Sequence, residues 1–253
     1  SMKRIFFFFF VFALIFSFCF TTAFATNGGT ANESQGTEIP EIESGAALVM
    51  DADTGAILYQ KNMTEKLAPA DTVQIMTVLL GIESGNQDQT VTVSKETVDG
   101  VDREGTHISL TAGEEVKLRD LLYATMLASA ADAAKTIAVT VSGTETAFAE
   151  AMNARMKQIG AKNTLFTNAD GAYSENGYTT AQDMAVLMQE ALKNETFRKI
   201  LGTTSYTMDE TNKNSSGRSF TTLCLLMKNS NMDVKYENAI GGKTGWNKKA
   251  GYA

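Results

Sequence analysis

Asp71-Thr-Val-Gln-Ile-Met-Thr-Val-Leu-Leu-Gly-Ile-Glu83 is the stretch that decides how the rest of the chain must be arranged. Its apolar side chains fall at Val73, Ile75, Met76, Leu79, Leu80 and Ile82, a helical stripe, so the spacing predicts a helix over 72–83 with Gly85 as its stop. Upstream, the apolar runs 45–50 and 56–59 flank Asp51-Ala-Asp-Thr-Gly55, which predicts a β-hairpin. Downstream, 90–93 reads as a short strand, and 118–127, 131–141 and 144–159 as three helices, the last closed by Gly160. Thr179-Thr-Ala-Gln182 has the form of a capping box opening a helix that runs to about Leu192. Segments 203–208, 220–227 and 239–246 are strand candidates. Strands, then helices, then strands imply an α/β fold in which a helical part interrupts an antiparallel sheet, with a cleft between them.

The N-terminus carries an export pattern. Lys3-Arg4 is followed by an apolar run from Ile5 to Phe20, and Ala23-Phe24-Ala25 offers an A-x-A cleavage site, so residues 1–25 are expected to be a secretory signal. Residues 26–43 are polar and read as a disordered linker, leaving 44–253 as the folded domain. Within it, the helical part is expected over about 71–200 and the sheet from 44–60 and 239–253. Losing Lys3 and Arg4 takes the formal charge from −7 to −9, which argues against nucleic acid and anionic membrane surfaces as partners. A membrane link is expected only through the signal or through an anchor beyond Ala253. Cys224, the one cysteine after the signal, reads as a buried thiol. With a single histidine, His107, the sequence supplies neither a typical zinc site nor a nucleophile motif for a Ser-His-Asp triad, and no cofactor is expected.

Five segments occur in register. They are the hairpin 45–59, Leu67-Ala-Pro-Ala-Asp-Thr-Val-Gln-Ile-Met-Thr77, Asp120-Leu-Leu-Tyr-Ala-Thr-Met-Leu-Ala-Ser-Ala-Ala-Asp-Ala-Ala134, Phe166-Thr-Asn-Ala-Asp-Gly171, and Ala239-Ile-Gly-Gly-Lys-Thr-Gly-Trp246 with Ala250-Gly-Tyr252. Together they resemble the low-molecular-mass D-alanyl-D-alanine carboxypeptidases, penicillin-binding proteins related to the class A β-lactamases. The resemblance implies a β-lactamase/DD-peptidase-like α/β fold with an antiparallel sheet plus a helical subdomain, its C-terminal strands truncated at Ala253. It also implies peptidoglycan stem peptides ending in D-Ala-D-Ala, or β-lactams, as ligands.

In that family, S-x-x-K supplies a serine nucleophile and its lysine base, S-x-N relays protons and holds the substrate amide, and K-T-G binds the terminal carboxylate. At the matching catalytic positions this chain reads Asp71-Thr72-Val73-Gln74 and Ser129-Ala130-Ala131, so Asp71, Gln74 and Ala131 are substituted and only Ser129 is kept. The substrate-binding positions Lys243, Thr244 and Gly245 are intact, followed by Trp246. Where a histidine often precedes the helix start at 178–180, this chain has Gly177. Glutamine has no titratable group and cannot serve as a base. An aspartate nucleophile would have to form an anhydride, an uphill step. The expectation is therefore an inactive or strongly impaired member with weakened ligand binding. An active enzyme by an unusual route is the alternative, with a class A β-lactamase relative behind it, since S-D-N and a deacylating glutamate motif are both missing.

Bland roles compete for the same residues. Asp71-x-x-Gln74 is also a capping-box pattern at a helix N-terminus, where aspartate suits the dipole. Family geometry would place Asp71 close enough to Lys243 for an ion pair across the cleft. Ser129 can be read as a helix cap for 132–141, and His107 as a surface residue.

Overall fold

The computed structural model describes residues 39, 41–227 and 236–253, and residues 43–253 form one unit. The expected signal over 1–25 and most of the 26–43 linker lie outside the described residues. Strands β1 (Ala47–Met50) and β2 (Ile57–Lys61) form the expected hairpin. Its turn closes on the Asp51 carboxylate, which accepts from the Asp53 and Thr54 N–H groups at 3.1 and 2.7 Å. Gly55 takes the left-handed φ of 75° that such a turn requires.

A 3-10 turn (Ala70–Val73) leads directly into α1 (Gln74–Glu83). The apolar stripe of this helix is wider than its periodicity suggests. Ile75, Met76, Val78, Leu79 and Ile82 are buried, and so are the polar Gln74 and Thr77, so α1 is a central helix rather than a half-exposed one. Around it pack α3 (Leu118–Ala128), α4 (Ala131–Ser142), α5 (Glu145–Gln158), α6 (Ala181–Ala191) and α7 (Glu195–Leu201). Gly81 permits a close approach: a Cβ there would lie 2.6 Å from the Leu122 side chain and 3.2 Å from that of Ile137, so a side chain at 81 would force these two to repack.

The remaining elements are β3 (Thr90–Thr92), α2 (Lys95–Asp99), β4 (Glu115–Lys117), β5 (Ser205–Met208), β6 (Arg218–Thr221), β7 (Trp246–Asn247) and β8 (Gly251–Tyr252). Sequence patterning misses α2, β4 and α7, all seven residues or shorter. Helix α6 starts one residue later than expected. Thr180, not Thr179, is its cap and accepts from the Asp183 N–H at 3.1 Å. The Gln182 N–H instead donates to the Met63 carbonyl at 3.0 Å. The described strands pair as four separate two-stranded antiparallel ladders, β1-β2, β3-β4, β5-β6 and β7-β8, where one interrupted sheet is expected. The candidate strand 239–246 shrinks to its last residue because its glycines press on other elements. A Cβ at Gly241 would lie 2.5 Å from Leu201, and one at Gly242 2.6 Å from the buried Cys224 sulfur.

One ion pair fixes the loop that leads to the site. Glu114 is fully buried, and its carboxylate accepts from Arg218 Nη1 at 2.6 Å, Thr211 Oγ1 at 2.8 Å and the Thr111 N–H at 3.0 Å. Arg218 also donates to the carbonyls of Ile108 and Ser109 at 2.8 and 3.1 Å. The same loop donates its Ile108 and Leu110 N–H groups to the Asp132 carboxylate at the start of α4. Thus β6, the 108–114 loop and α4 are tied together by buried, charge-assisted hydrogen bonds. Burial works against the charged form of Glu114, but Arg218, Thr211 and the Thr111 N–H hold its carboxyl below the ordinary range.

Removing the cation strands that carboxylate. Arg218→Met is expected to cost about 3–5 kcal/mol of unfolding free energy at neutral pH. For a carboxyl held low in the folded state, the contribution is present above its unfolded value near 4.3 and fades as pH falls through the folded one. The variant's deficit should accordingly shrink in acid, and urea midpoints of both proteins at pH 7 and at about pH 3, well below the unfolded value, check it.

Candidate functional site

The 3-10 turn bearing Asp71 is held in an unfavourable backbone. Ala70 has φ of 46°, and Gly171 (φ 94°) is wedged against it, leaving no room for a Cβ, which would sit 2.7 Å from Ala70 C and Asp71 Cα. Gly245 also presses on this turn, where a Cβ would come within 3.1 Å of the Asp71 and Thr72 nitrogens. The 166–171 loop and the Lys243-Thr244-Gly245 segment therefore both clamp position 71. Asn247 Nδ2, donating to the Gly171 carbonyl at 3.4 Å, links the two clamps.

Ser129 is the meeting point. It ends α3 in the left-handed region, with φ of 51°, and is only 3% exposed. A non-glycine residue held there signals a constraint from its surroundings. Its carbonyl accepts from Gln74 Nε2 at 3.3 Å, and its hydroxyl accepts from Lys243 Nζ at 2.5 Å. Gln74 Nε2 also donates to the Asp170 carbonyl at 2.8 Å, while Gln74 Oε1 is buried without a partner. Asp71, Gln74, Ser129 and Lys243 thus converge on one cleft.

The electrostatics follow from burial. Desolvation pushes the Asp71 carboxyl up to about 6; the Lys243 ammonium opposes this, the Asp170 carboxylate adds to it, and the nearby Ser129 hydroxyl, which favours the charged form, opposes it again. Burial brings the Lys243 ammonium down to about 8, against the pull of Asp71. Asp170 is itself desolvated and lies 3.6 Å from Lys135 Nζ, which holds Glu145 at 2.8 Å.

Several expected roles change. Asp71 makes no capping hydrogen bond at either helical start, and Gln74 reaches across the cleft instead of back to the chain at 71, so the capping-box reading is wrong. The reason is geometric: residues 70–73 form a separate 3-10 turn, which takes Asp71 out of the N-cap position of α1. Among the described residues Asp71 and Lys243 form no direct ion pair; Lys243 Nζ donates to the Ser129 hydroxyl instead. Ser129 is not a cap for α4, whose N-cap is Ala130. Ala131 opens α4 with its N–H donating to the Thr106 carbonyl at 2.9 Å, and its methyl offers nothing to a ligand. His107 stays outside the cleft, with Nδ1 facing Ser109.

Thr244 is exposed, and its carbonyl accepts from Lys243 Nζ. Gly245 exchanges backbone hydrogen bonds with Ala253 at 2.8 and 2.7 Å, and the half-exposed Trp246 packs on Tyr252 with ring centroids 6.0 Å apart. Sequence reasoning gave no site role to Asp170 and Lys135. A lone lysine inside the apolar run 131–141 is the signal that could have found the latter.

The family model described as D-alanyl-D-alanine carboxypeptidase matches residues 33–253. The D-alanyl-D-alanine carboxypeptidase DacF of Bacillus subtilis is 34% identical over 83% of this chain, which spans about half (52%) of that relative's length. The D-alanyl-D-alanine carboxypeptidase of Streptomyces sp. strain K15 is 32% identical over 92% of this chain and 82% of its own. The crystal structure of the Streptomyces K15 DD-transpeptidase superposes with a TM-score of 0.75 at 30% identity, covering 84% of each chain. Matched along its whole described fold and by relatives above 30% identity, the chain belongs to the D-alanyl-D-alanine carboxypeptidase family and has its DD-peptidase fold.

Proposed function

We propose that this protein is exported to the cell envelope and binds the D-Ala-D-Ala ends of peptidoglycan stem peptides without hydrolysing them. The observation that carries the reading is the state of residue 74. A lysine base needs a lone pair aimed at the nucleophile. Gln74 presents an amide whose Nε2 is committed to two backbone carbonyls and whose Oε1 has no useful basicity. The nucleophile position holds a carboxylate, and Ala131 has lost the amide that would hold a substrate carbonyl. Losing a nucleophile or base removes on the order of 10⁶ of the rate in comparable hydrolases. The binding half of the machinery supports retained recognition: Lys243 and Ser129 are in contact, and Thr244 is open to solvent. With Asp71 acting on the same pair, that recognition is weakened.

Two outcomes are expected. Incubation with benzylpenicillin followed by intact-mass measurement should show no covalent adduct on this protein, whereas the triple variant D71S/Q74K/A131N should gain one penicilloyl mass. An adduct on the unaltered chain would overturn the inactive reading; none on the triple variant would show that more than these three positions has been lost. Gln74→Glu should lower stability by about 1–3 kcal/mol at neutral pH, because a carboxylate leaves both facing carbonyls without a donor. That deficit should shrink in acid, where the protonated side chain recovers one O–H, and denaturant midpoints against pH read it directly.

A further inference from the structure

One segment is charged against the rest of the molecule. The chain has a net charge of −7, yet residues 238–253 contain Lys243, Lys248 and Lys249 and no aspartate or glutamate. Lys243 lies in the cleft, donating to Ser129 Oγ at 2.5 Å. Lys248 and Lys249 form the exposed tip of the β7–β8 hairpin. No ion pair among the described residues involves either of them.

The tip is fixed at the border of the cleft. Asn247 Oδ1 accepts from the Lys249 and Ala250 N–H groups at 3.1 and 2.7 Å, which closes the turn. Its Nδ2 anchors the same turn to the Gly171 carbonyl at 3.4 Å. Lys249 Nζ stands 4.7 Å from the ring centroid of Tyr173, just beyond the 166–171 loop. An aromatic face orients an ammonium without cancelling its charge, so this cation stays available to an anion. Glu175, exposed two residues after Tyr173, forms no ion pair with either lysine. Strand β7 pairs with β8 on one edge, and the described residues supply no strand on the other.

Resting on the stem-peptide reading above, we propose that Lys248 and Lys249 form a second anion subsite, which takes a carboxylate upstream of the D-Ala-D-Ala end. A peptide whose terminal carboxylate meets Lys243 and which runs along the open edge of β7 carries its preceding residues past Trp246 to the hairpin tip. Lys248 lies five residues from Lys243, a span of at most about 18 Å. An extended ligand advances about 3.4 Å per residue. A carboxylate three or four residues before the end therefore comes within reach of the two flexible lysine side chains. The half-exposed Trp246, between the two anion positions in the chain, offers apolar surface to the peptide joining them. The terminal carboxylate alone compensates one of the three lysines, and an acidic residue upstream supplies charge for the others. The subsite thus separates acidic peptides from their amidated forms, a choice that Lys243 cannot make.

Titration calorimetry of the full chain tests this with L-Ala-γ-D-Glu-L-Lys-D-Ala-D-Ala and with the same pentapeptide carrying an amide in place of the glutamate α-carboxylate. Diacetyl-L-Lys-D-Ala-D-Ala, which ends before that group, is the third probe. The acidic pentapeptide should bind about fivefold more tightly than the amide at low ionic strength. The preference should vanish toward 1 M salt, where screening acts within about 3 Å. The double variant Lys248→Gln/Lys249→Gln should bind both pentapeptides equally and the tripeptide as the parent does. Lys157→Gln/Lys162→Gln removes the same charge from exposed positions on and just after α5, and should keep the preference. The subsite is overturned if the parent shows no preference, if the 248/249 variant retains it, or if the 157/162 variant loses it equally. Tripeptide binding in any of those cases leaves the stem-peptide reading standing. If the parent binds none of the three peptides, that reading falls too.

Discussion

Ser129 is a single buried residue on which the cleft is assembled. Its left-handed backbone turns the end of α3 so that the carbonyl faces α1 and the hydroxyl faces the Lys243 segment. An ordinary helical φ at that residue would give up one of these contacts. The conformation costs about 1–3 kcal/mol, and the loop just beyond it supplies the restraint. The Ala131 N–H is tied to Thr106, Asp132 holds Ile108 and Leu110, and Arg218 with Glu114 fastens the far side of that same loop. The Glu114–Arg218 ion pair is thus linked to position 129 through this chain of hydrogen bonds.

The same logic explains the state of Gln74. Two carbonyls, those of Ser129 and Asp170, converge on one point inside the protein. An environment of acceptors suits a group that only donates, and among side chains lysine has three donors and no acceptor. The carboxamide satisfies the carbonyls with its NH₂ and then has one acceptor too many, the unpartnered Oε1. Such an orphan costs about 1–3 kcal/mol. Neither the orphaned Gln74 oxygen nor the desolvated Asp71 carboxylate stabilises the fold, and Asp71 makes no capping hydrogen bond to offset its burial.

What could be read from the sequence divides along physical lines. The hairpin at 47–61 and helices α1 and α3 to α6 were legible because each contains a full period of apolar spacing or a turn with defined chemistry. The seven-residue α7 and the five-residue α2 offer too few turns for a period to show. The 239–246 run looks like a strand locally, yet contact with Leu201 and Cys224 decides its path, and no local pattern encodes a tertiary contact. At the site, residues 71, 74, 129 and 243 were picked out by the family resemblance, and Gln74, Ser129 and Lys243 are joined by hydrogen bonds. The bonds themselves were not legible, since they depend on the 3-10 turn and on the left-handed Ser129, both imposed from outside the segment.

Asp170 shows how far such imposed structure reaches. One residue of the 166–171 loop accepts from Gln74 through its carbonyl, presses a negative charge toward Asp71 through its carboxylate, and precedes the glycine that wedges Ala70 into its strained turn. A buried carboxylate in that place is tenable only because Lys135 meets it, and Lys135 is tenable because Glu145 shares its charge. The alternation of charges from α5 through α4 to the loop therefore supports the cleft from beneath. The backbone around residues 71, 74 and 129 is thus held by buried charges that lie outside the four positions themselves.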